Sequence, residues 1–115
     1  MNKGIGSILY PVKDVDAAKA VFTRLFGVDP HTDAPYYVGF QVDGKEIGLV
    51  PNGDQQGLTG PTVYYAVDDI NETIQTLQGA GAEVRQEPSD VGGGRLVALV
   101  TDANGNAIGL LQDPS

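Results

Sequence analysis

The chain has 115 residues, 41% apolar and 19% charged, near the size of one compact domain and away from the high-charge, aliphatic-poor composition of disordered chains. Its formal net charge of −8 comes from 15 acidic against 7 scattered basic residues, which excludes nucleic acid and anionic membrane as natural partners, because phosphate binding rests on clustered Lys and Arg. There is no cysteine, so disulfides, thiolate nucleophiles and cysteine metal sites fall away together.

Met1-Asn2-Lys3-Gly4 leads directly into strand-like sequence, and no apolar run approaches the ~18 residues of a membrane span; a soluble protein of the reducing cytoplasm is expected. Ile5 to Val12 is a continuous apolar stretch that reads as a buried strand. From Asp14, the expected N-cap, Val15, Ala18, Val21, Phe22, Leu25 and Phe26 recur at three- and four-residue spacing and define the core stripe of a helix that stops at Gly27. A polar connection from Asp29 to Pro35 precedes a strand from Tyr36 to Val42. Asp43-Gly44 is a strong hairpin signal, with Lys45 to Val50 as the returning strand. Pro51 to Pro61, rich in glycine, reads as a mobile linker. A strand from Thr62 to Val67 follows, then a helix capped by Asp69 with stripe Ile70, Ile74, Leu77 and Ala80, ended by Gly79 and Gly81. Strands are expected over Ala82 to Asp90, Arg95 to Thr101 and Asn106 to Gln112, joined by the turns Val91 to Gly94 and Asp102-Ala103-Asn104-Gly105.

The order of elements occurs twice. Ser7 to Asp14 reads against Thr62 to Asp69, and Ile47-Gly48-Leu49-Val50 against Ile108-Gly109-Leu110-Leu111. Two copies are too few for a solenoid, so one α+β domain over 1–115 is expected: module 1 at 1–50, linker 51–61, module 2 at 62–115, each a βαβββ unit with its helix on one sheet face. Strand alternation separates two faces. Ile8, Tyr10, Val12, Ile47, Leu49, Val63, Tyr65, Val67, Ile108 and Leu110 belong under the helices. The other face carries Ser7, Leu9, Glu46, Gly48, Val50, Thr62, Tyr64, Gly109 and Leu111, a mixed and less apolar set. Interior strand glycines such as Gly48 and Gly109 mark either a bend or a place where something approaches the backbone closely, and a cleft lined by the mixed face is the expectation.

This duplication, the Val-x-Asp before each helix (Val12-Lys13-Asp14 and Val67-Asp68-Asp69), the phrase Asp102 to Ile108 and the Gly92-Gly93-Gly94-Arg95 hairpin resemble the vicinal oxygen chelate superfamily of glyoxalase I, bleomycin-resistance proteins and extradiol dioxygenases. The resemblance implies a divalent metal held by one His or Glu from each first strand and one Glu from each last strand. Those places correspond to Ser7, Gly48, Thr62 and Gly109, none of which supplies the imidazole or carboxylate such metals use. No cofactor is therefore expected. The resemblance also implies a homodimer with clefts completed across a two-fold interface.

Other chemistry is sparse. His31 is the only histidine, and nothing in the sequence places a partner near it; it reads as an exposed loop residue. Glu46 is the one carboxylate of the mixed set, able to act as a base, to anchor a cationic ligand, or simply to sit in solvent at a strand end. Tyr36, Tyr37 and Tyr64 can stack on an aromatic ligand or pack within strands. Arg95 can clamp an acidic ligand or flank its hairpin. No helix start follows the Gly92–Gly94 run, which speaks against a phosphate cradle. Glu46 and Tyr64 remain as the weak catalytic candidates. Ligand contacts are expected from Ser7, Leu9, Tyr37, Glu46, Gly48, Val50, Thr62, Tyr64, Arg95, Gly109 and Leu111. The leading expectation is metal-independent binding of a small aromatic or amphipathic molecule, with drug or metabolite sequestration as its purpose. The alternative is a lyase, isomerase or dioxygenase-type enzyme of the same superfamily with a non-standard site.

Overall fold

A computed structural model of the chain describes residues 2–114, save the side chains of Asn2 and Gln56. The chain forms two compact units, Ser7–Thr62 and the segment from Val63 onward joined by the strand residues up to Gly6. Each carries a four-stranded mixed sheet with a helix on one face, and the element order strand, helix, three strands occurs twice. This is the α+β arrangement of two βαβββ modules. No helix among the described residues is long and apolar enough to cross a membrane.

In the first unit, β1 (Asn2–Val12) enters, α1 (Val15–Phe26) follows, and β2 (Thr32–Ala34), β3 (Tyr37–Val42) and β4 (Lys45–Pro51) complete the sheet in the order β2-β3-β4-β1. β1 runs parallel to β4 with Leu9 opposite Gly48, and β3 antiparallel to β4 with Gly39 opposite Gly48 and Gln41 opposite Glu46. The Asp14 carboxylate accepts from the Ala17 N–H at 3.0 Å, meeting one of the donors that every helix start leaves without a partner. Gly27 closes the helix in the left-handed conformation at φ 71°. The helix lays Val15, Ala18, Phe22 and Phe26 on Val38, Phe40, Ile47 and Leu49. Tyr10, Phe22, Phe26 and Phe40 form a continuous ring chain with centroids 5.0 to 5.5 Å apart. Phe40, fully buried, contributes roughly 1.5–3 kcal/mol of transfer free energy, and the partly buried Tyr10, Phe22 and Phe26 less. The hairpin turn places both Asp43 (φ 52°) and Gly44 (φ 76°) at positive φ, the twist that a two-residue β-hairpin requires.

Three expectations change here. Val21 and Leu25 are 63% and 69% exposed, because the stripe at positions 15, 18, 22 and 26 already fills the face toward the sheet and each lies about 100° round the helix from its neighbour in that stripe. The connection Asp29 to Pro35 contains β2, a three-residue edge strand held by pairing with β3, Thr32 opposite Gly39. The Pro51–Pro61 segment is packed rather than loose: it contains a 3₁₀ turn at Gly53–Gln56, and Leu58 is only 3% exposed.

In the second unit, β5 (Thr62–Val67), α2 (Ile70–Gly79), β6 (Glu83–Asp90), β7 (Leu96–Thr101) and β8 (Ala107–Gln112) give the order β5-β8-β7-β6. β5 runs parallel to β8 with Tyr64 opposite Gly109, and β7 pairs antiparallel with both β8 and β6. The core joins Val67, Ile70, Ile74, Ala98, Val100 and Leu110. Asp69 caps α2 by accepting from the Glu72 N–H at 3.0 Å, and the Gln112 side-chain oxygen accepts from the Ile70 N–H at 2.7 Å. Ala80 lies past the last helical residue and is exposed, so it drops out of the expected stripe. The Asp102 turn is tied by hydrogen bonds from the Asn104 and Asn106 N–H groups and from the Asn106 amide. The last of these does most to hold the Asp102 carboxyl below the usual carboxylate range. Lys3 on β1 pairs with Asp68 at 3.0 Å, and its hydrogen bond lowers the Asp68 carboxyl likewise.

Candidate functional site

Side chains alternate across a strand, so the residues that β3 and β4 do not give to the α1 core emerge on the opposite face: Tyr37, Gly39 and Gln41 from β3, and Glu46, Gly48 and Val50 from β4. The two glycines sit opposite one another and leave a hollow in that face which Tyr37 fills. A Cβ at Gly48 would collide with the Tyr37 hydroxyl and ring and with Leu9 Cδ2, the latter at 2.6 Å. A Cβ at Gly39 would meet Glu46 Oε2 at 2.6 Å, the Tyr37 ring at 2.8 Å and His31 Nε2 at 3.1 Å. The glycines therefore create the room in which three chemically active side chains come together.

Their centre is the Glu46 carboxylate. The Tyr37 hydroxyl donates to Oε2 at 2.5 Å, His31 Nε2 donates to Oε1 at 2.7 Å, and the Gln41 amide donates to Oε1 at 3.2 Å. His31 Nδ1 meets the Thr32 hydroxyl at 2.8 Å, and the His31 N–H donates to the Gly39 carbonyl at 2.9 Å. The imidazole is thus fixed at both nitrogens and at its backbone. Hydrogen bonds to a charged group are short and about twice as strong as neutral ones, and three of them hold this carboxylate in one orientation. The side chain keeps 20% of its surface accessible, and His31 keeps 41%. Among the described residues, no lysine or arginine pairs with Glu46.

The second unit repeats the device in simpler form. The Tyr64 ring lies over Gly109, where a Cβ would stand 2.5 to 2.7 Å from three ring atoms. Tyr64 is 6% exposed, and burial raises its phenol above the ordinary tyrosine value. Among the described residues, the atoms nearest that glycine are those of the Tyr64 ring alone.

The expected site residues divide by accessibility. Leu9, Tyr37 and Glu46 are gathered on one sheet face and remain partly open. Ser7, Val50, Thr62, Tyr64 and Leu111 each expose less than a tenth of their surface, as do Gly48 and Gly109. Arg95 lies on the β6–β7 hairpin and pairs with Asp113 at 2.7 Å. His31, expected as an unpartnered loop residue, is a member of the Glu46 cluster. Its placement depends on the β2–β3 pairing, and the signal that existed in the sequence was the glycine at 39, which only register connects to positions 31 and 46.

The four positions that the family's metal ligands would occupy do not suit a divalent cation. Tyrosine rings take the space at Gly48 and Gly109. The Thr62 hydroxyl is committed to the Gly60 carbonyl at 2.9 Å, and Ser7, 7% exposed, offers a neutral hydroxyl where such ions take imidazole or carboxylate. Among the described residues, no group of three or more His, Cys, Asp or Glu is placed to hold an ion.

A family model described as the glyoxalase/bleomycin resistance protein/dioxygenase superfamily matches residues 4–110. The chain belongs to this superfamily. It is 28% identical over 97% of its length to a probable lactoylglutathione lyase of Vibrio cholerae, covering 92% of that protein. It is 29% identical over 86% of its length to a putative glyoxylase of Mycobacterium tuberculosis, of which it spans 41%, about two fifths of that relative's length. Among solved structures, it is similar to the methylmalonyl-CoA epimerase of Mycobacterium tuberculosis with a TM-score of 0.73 at 16% identity, over 99% of this chain and 90% of that one. It is also similar to the Mn(II)-bound glyoxalase of Novosphingobium aromaticivorans with a TM-score of 0.73 at 19% identity, over 98% of this chain and 40% of that one. At these identities the structural likeness speaks for the shared superfamily fold and leaves the chemistry to the residues themselves.

Proposed function

We propose that this chain is a small-molecule-binding member of the superfamily that works without the family's divalent cation. The observation that carries the reading is the fate of the two glycines: where the family would place metal-ligating carboxylates, this chain has Gly48 and Gly109, and packs Tyr37 and Tyr64 over them. An aromatic or amphipathic ligand suits the remaining partly open residues, Leu9 and Tyr37 for apolar contact and Glu46 as a fixed polar anchor, since small-ligand sites combine apolar walls with a few placed polar groups. Sequestration of a drug or metabolite, in a homodimer of this chain, is the physiological role this reading supports.

A second reading, a metal-free lyase or isomerase, draws on the His31–Glu46 hydrogen bond, an oriented acid–base pair of the kind that moves protons. Tyr64 does not supply the base for it, because burial raises its phenol further above the ordinary tyrosine value. A thermal-shift panel of aromatic, amphipathic and glycopeptide-like compounds tests the binding reading. A ligand at ~100 times its dissociation constant adds roughly 2.7 kcal/mol, a rise on the order of 10 °C for a chain of this size. Elemental analysis of protein purified without chelator is expected to find no stoichiometric Zn, Ni, Mn or Fe. Absence of any shift across the panel, or a stoichiometric metal, overturns the reading.

A further inference from the structure

Glu46 is a carboxylate fixed on an accessible sheet face. Its two oxygens are held by Tyr37, His31 and Gln41, yet no arginine or lysine among the described residues neutralises it. A carboxylate kept one-fifth accessible on a sheet face, with donors that orient it and no permanent cation beside it, is preorganised for a positive charge brought from outside. Three donors leave part of the oxygens' accepting capacity, about four lone-pair directions in all, unused. Beside it, Leu9 and the Tyr37 ring both approach Gly48 and are partly open, offering apolar contact for an aromatic or aliphatic body and a ring that attracts cations. The overall charge of −8 favours the approach of such a ligand at long range.

We infer that Glu46 is the recognition group for a primary ammonium or guanidinium on the ligand, with Leu9 and Tyr37 receiving the apolar body attached to it. The inference rests on the binding function proposed above and adds the ligand's charge class. Gln41 and His31 are then positioning residues, which fix the carboxylate and leave its accessible edge for the guest, while Tyr37 both donates to the carboxylate and meets the guest.

The test uses 2-phenylethylammonium and its neutral counterpart 2-phenylethanol, each titrated into the intact protein while backbone amide shifts are followed by NMR. The expected result is that the ammonium moves the Gly39, Gly48 and Glu46 amides and binds at least tenfold more tightly than the alcohol, with affinity falling as salt is raised. Glu46→Gln is expected to abolish that preference, bringing the affinity for the ammonium down to that for the alcohol measured on the same variant. The charge preference and salt dependence are read on the unaltered protein, so the test survives a Glu46→Gln variant that folds poorly. Equal affinity for the two probes, shifts confined to other residues, or no shifts with the ammonium would each overturn the inference. The binding function itself stands or falls on the separate compound panel: neutral ligands that bind there while the ammonium shows no preference would sink the charge assignment alone.

Discussion

Replacing Gly109 with alanine reads the tyrosine-over-glycine packing directly. The φ of Gly109 lies outside the left-handed region, so a Cβ brings no backbone strain, but it would sit 2.5 to 2.7 Å from three atoms of the Tyr64 ring. Ordinary carbon contacts lie near 3.5–4.0 Å, so the ring must withdraw by about 1 Å. Tyr64 is 6% exposed, and a ring packed that tightly has little room to move. The cost is therefore that of overpacking, about 1–3 kcal/mol, set against a gain of roughly 0.5–1 kcal/mol from replacing a strand glycine. Urea denaturation of Gly109→Ala, Tyr64→Ala and the double variant separates the two. Tyr64→Ala alone is expected to cost about 3–5 kcal/mol through the cavity it leaves. In that background Gly109→Ala should be neutral or slightly stabilising, giving a coupling on the order of 2 kcal/mol. Gly79→Ala is the control: it ends α2 with nothing within 4 Å of its would-be Cβ and should stabilise by up to about 1 kcal/mol. A Gly109→Ala effect that is the same with and without the Tyr64 ring would refute the packing argument.

Three further outcomes follow from the same geometry. An unfolded tyrosine loses its proton near pH 10.0, whereas burial keeps folded Tyr64 protonated to higher pH. The folded state then holds the extra proton, so stability is complete below pH 10 and declines as pH rises through the folded value; urea midpoints across that range should fall, and less steeply in Tyr64→Phe. Tyr37→Phe removes the hydroxyl that donates to Glu46 and should cost about 1.5 kcal/mol by chemical denaturation, the low end for hydrogen bonds to charged groups because Glu46 is partly solvated; no change would mean that the bond contributes nothing. Asp69→Ala removes the cap of α2 and should cost about 1 kcal/mol, measured the same way.

The elements that sequence could locate were those with their own local chemistry. Asp14, Gly27, Asp69 and the Asp43-Gly44 turn each act through neighbours a few residues away, and the alternation of Ile47, Gly48 and Leu49 sorts a strand into two faces without knowledge of any partner. Duplication of this pattern was enough to suggest both the α+β modules and the superfamily. What escaped was everything set by pairing. β2 is three residues long with no alternating apolar pattern, and exists because Gly39 and its neighbours offer it a ladder. His31 could not be joined to Glu46 without the registers of β2 on β3 and of β3 on β4. Gly48 and Gly109 announced a close approach to the backbone; that the approaching groups are Tyr37 and Tyr64 depends on ring orientation, which spacing does not encode. The helix stripes that periodicity predicts are too wide at Val21, Leu25 and Ala80, since periodicity marks every apolar position near the core face and only packing decides which of them the sheet reaches.

Binding without a divalent cation is measured most directly by calorimetric titration of a ligand from the compound panel, carried out on protein as purified and again after exhaustive chelation. Equal affinity and full stoichiometry in both preparations are expected if Gly48, Gly109, Ser7 and Thr62 hold no ion. Loss of binding on chelation, restored by adding Zn, Ni, Mn or Fe, would contradict that claim.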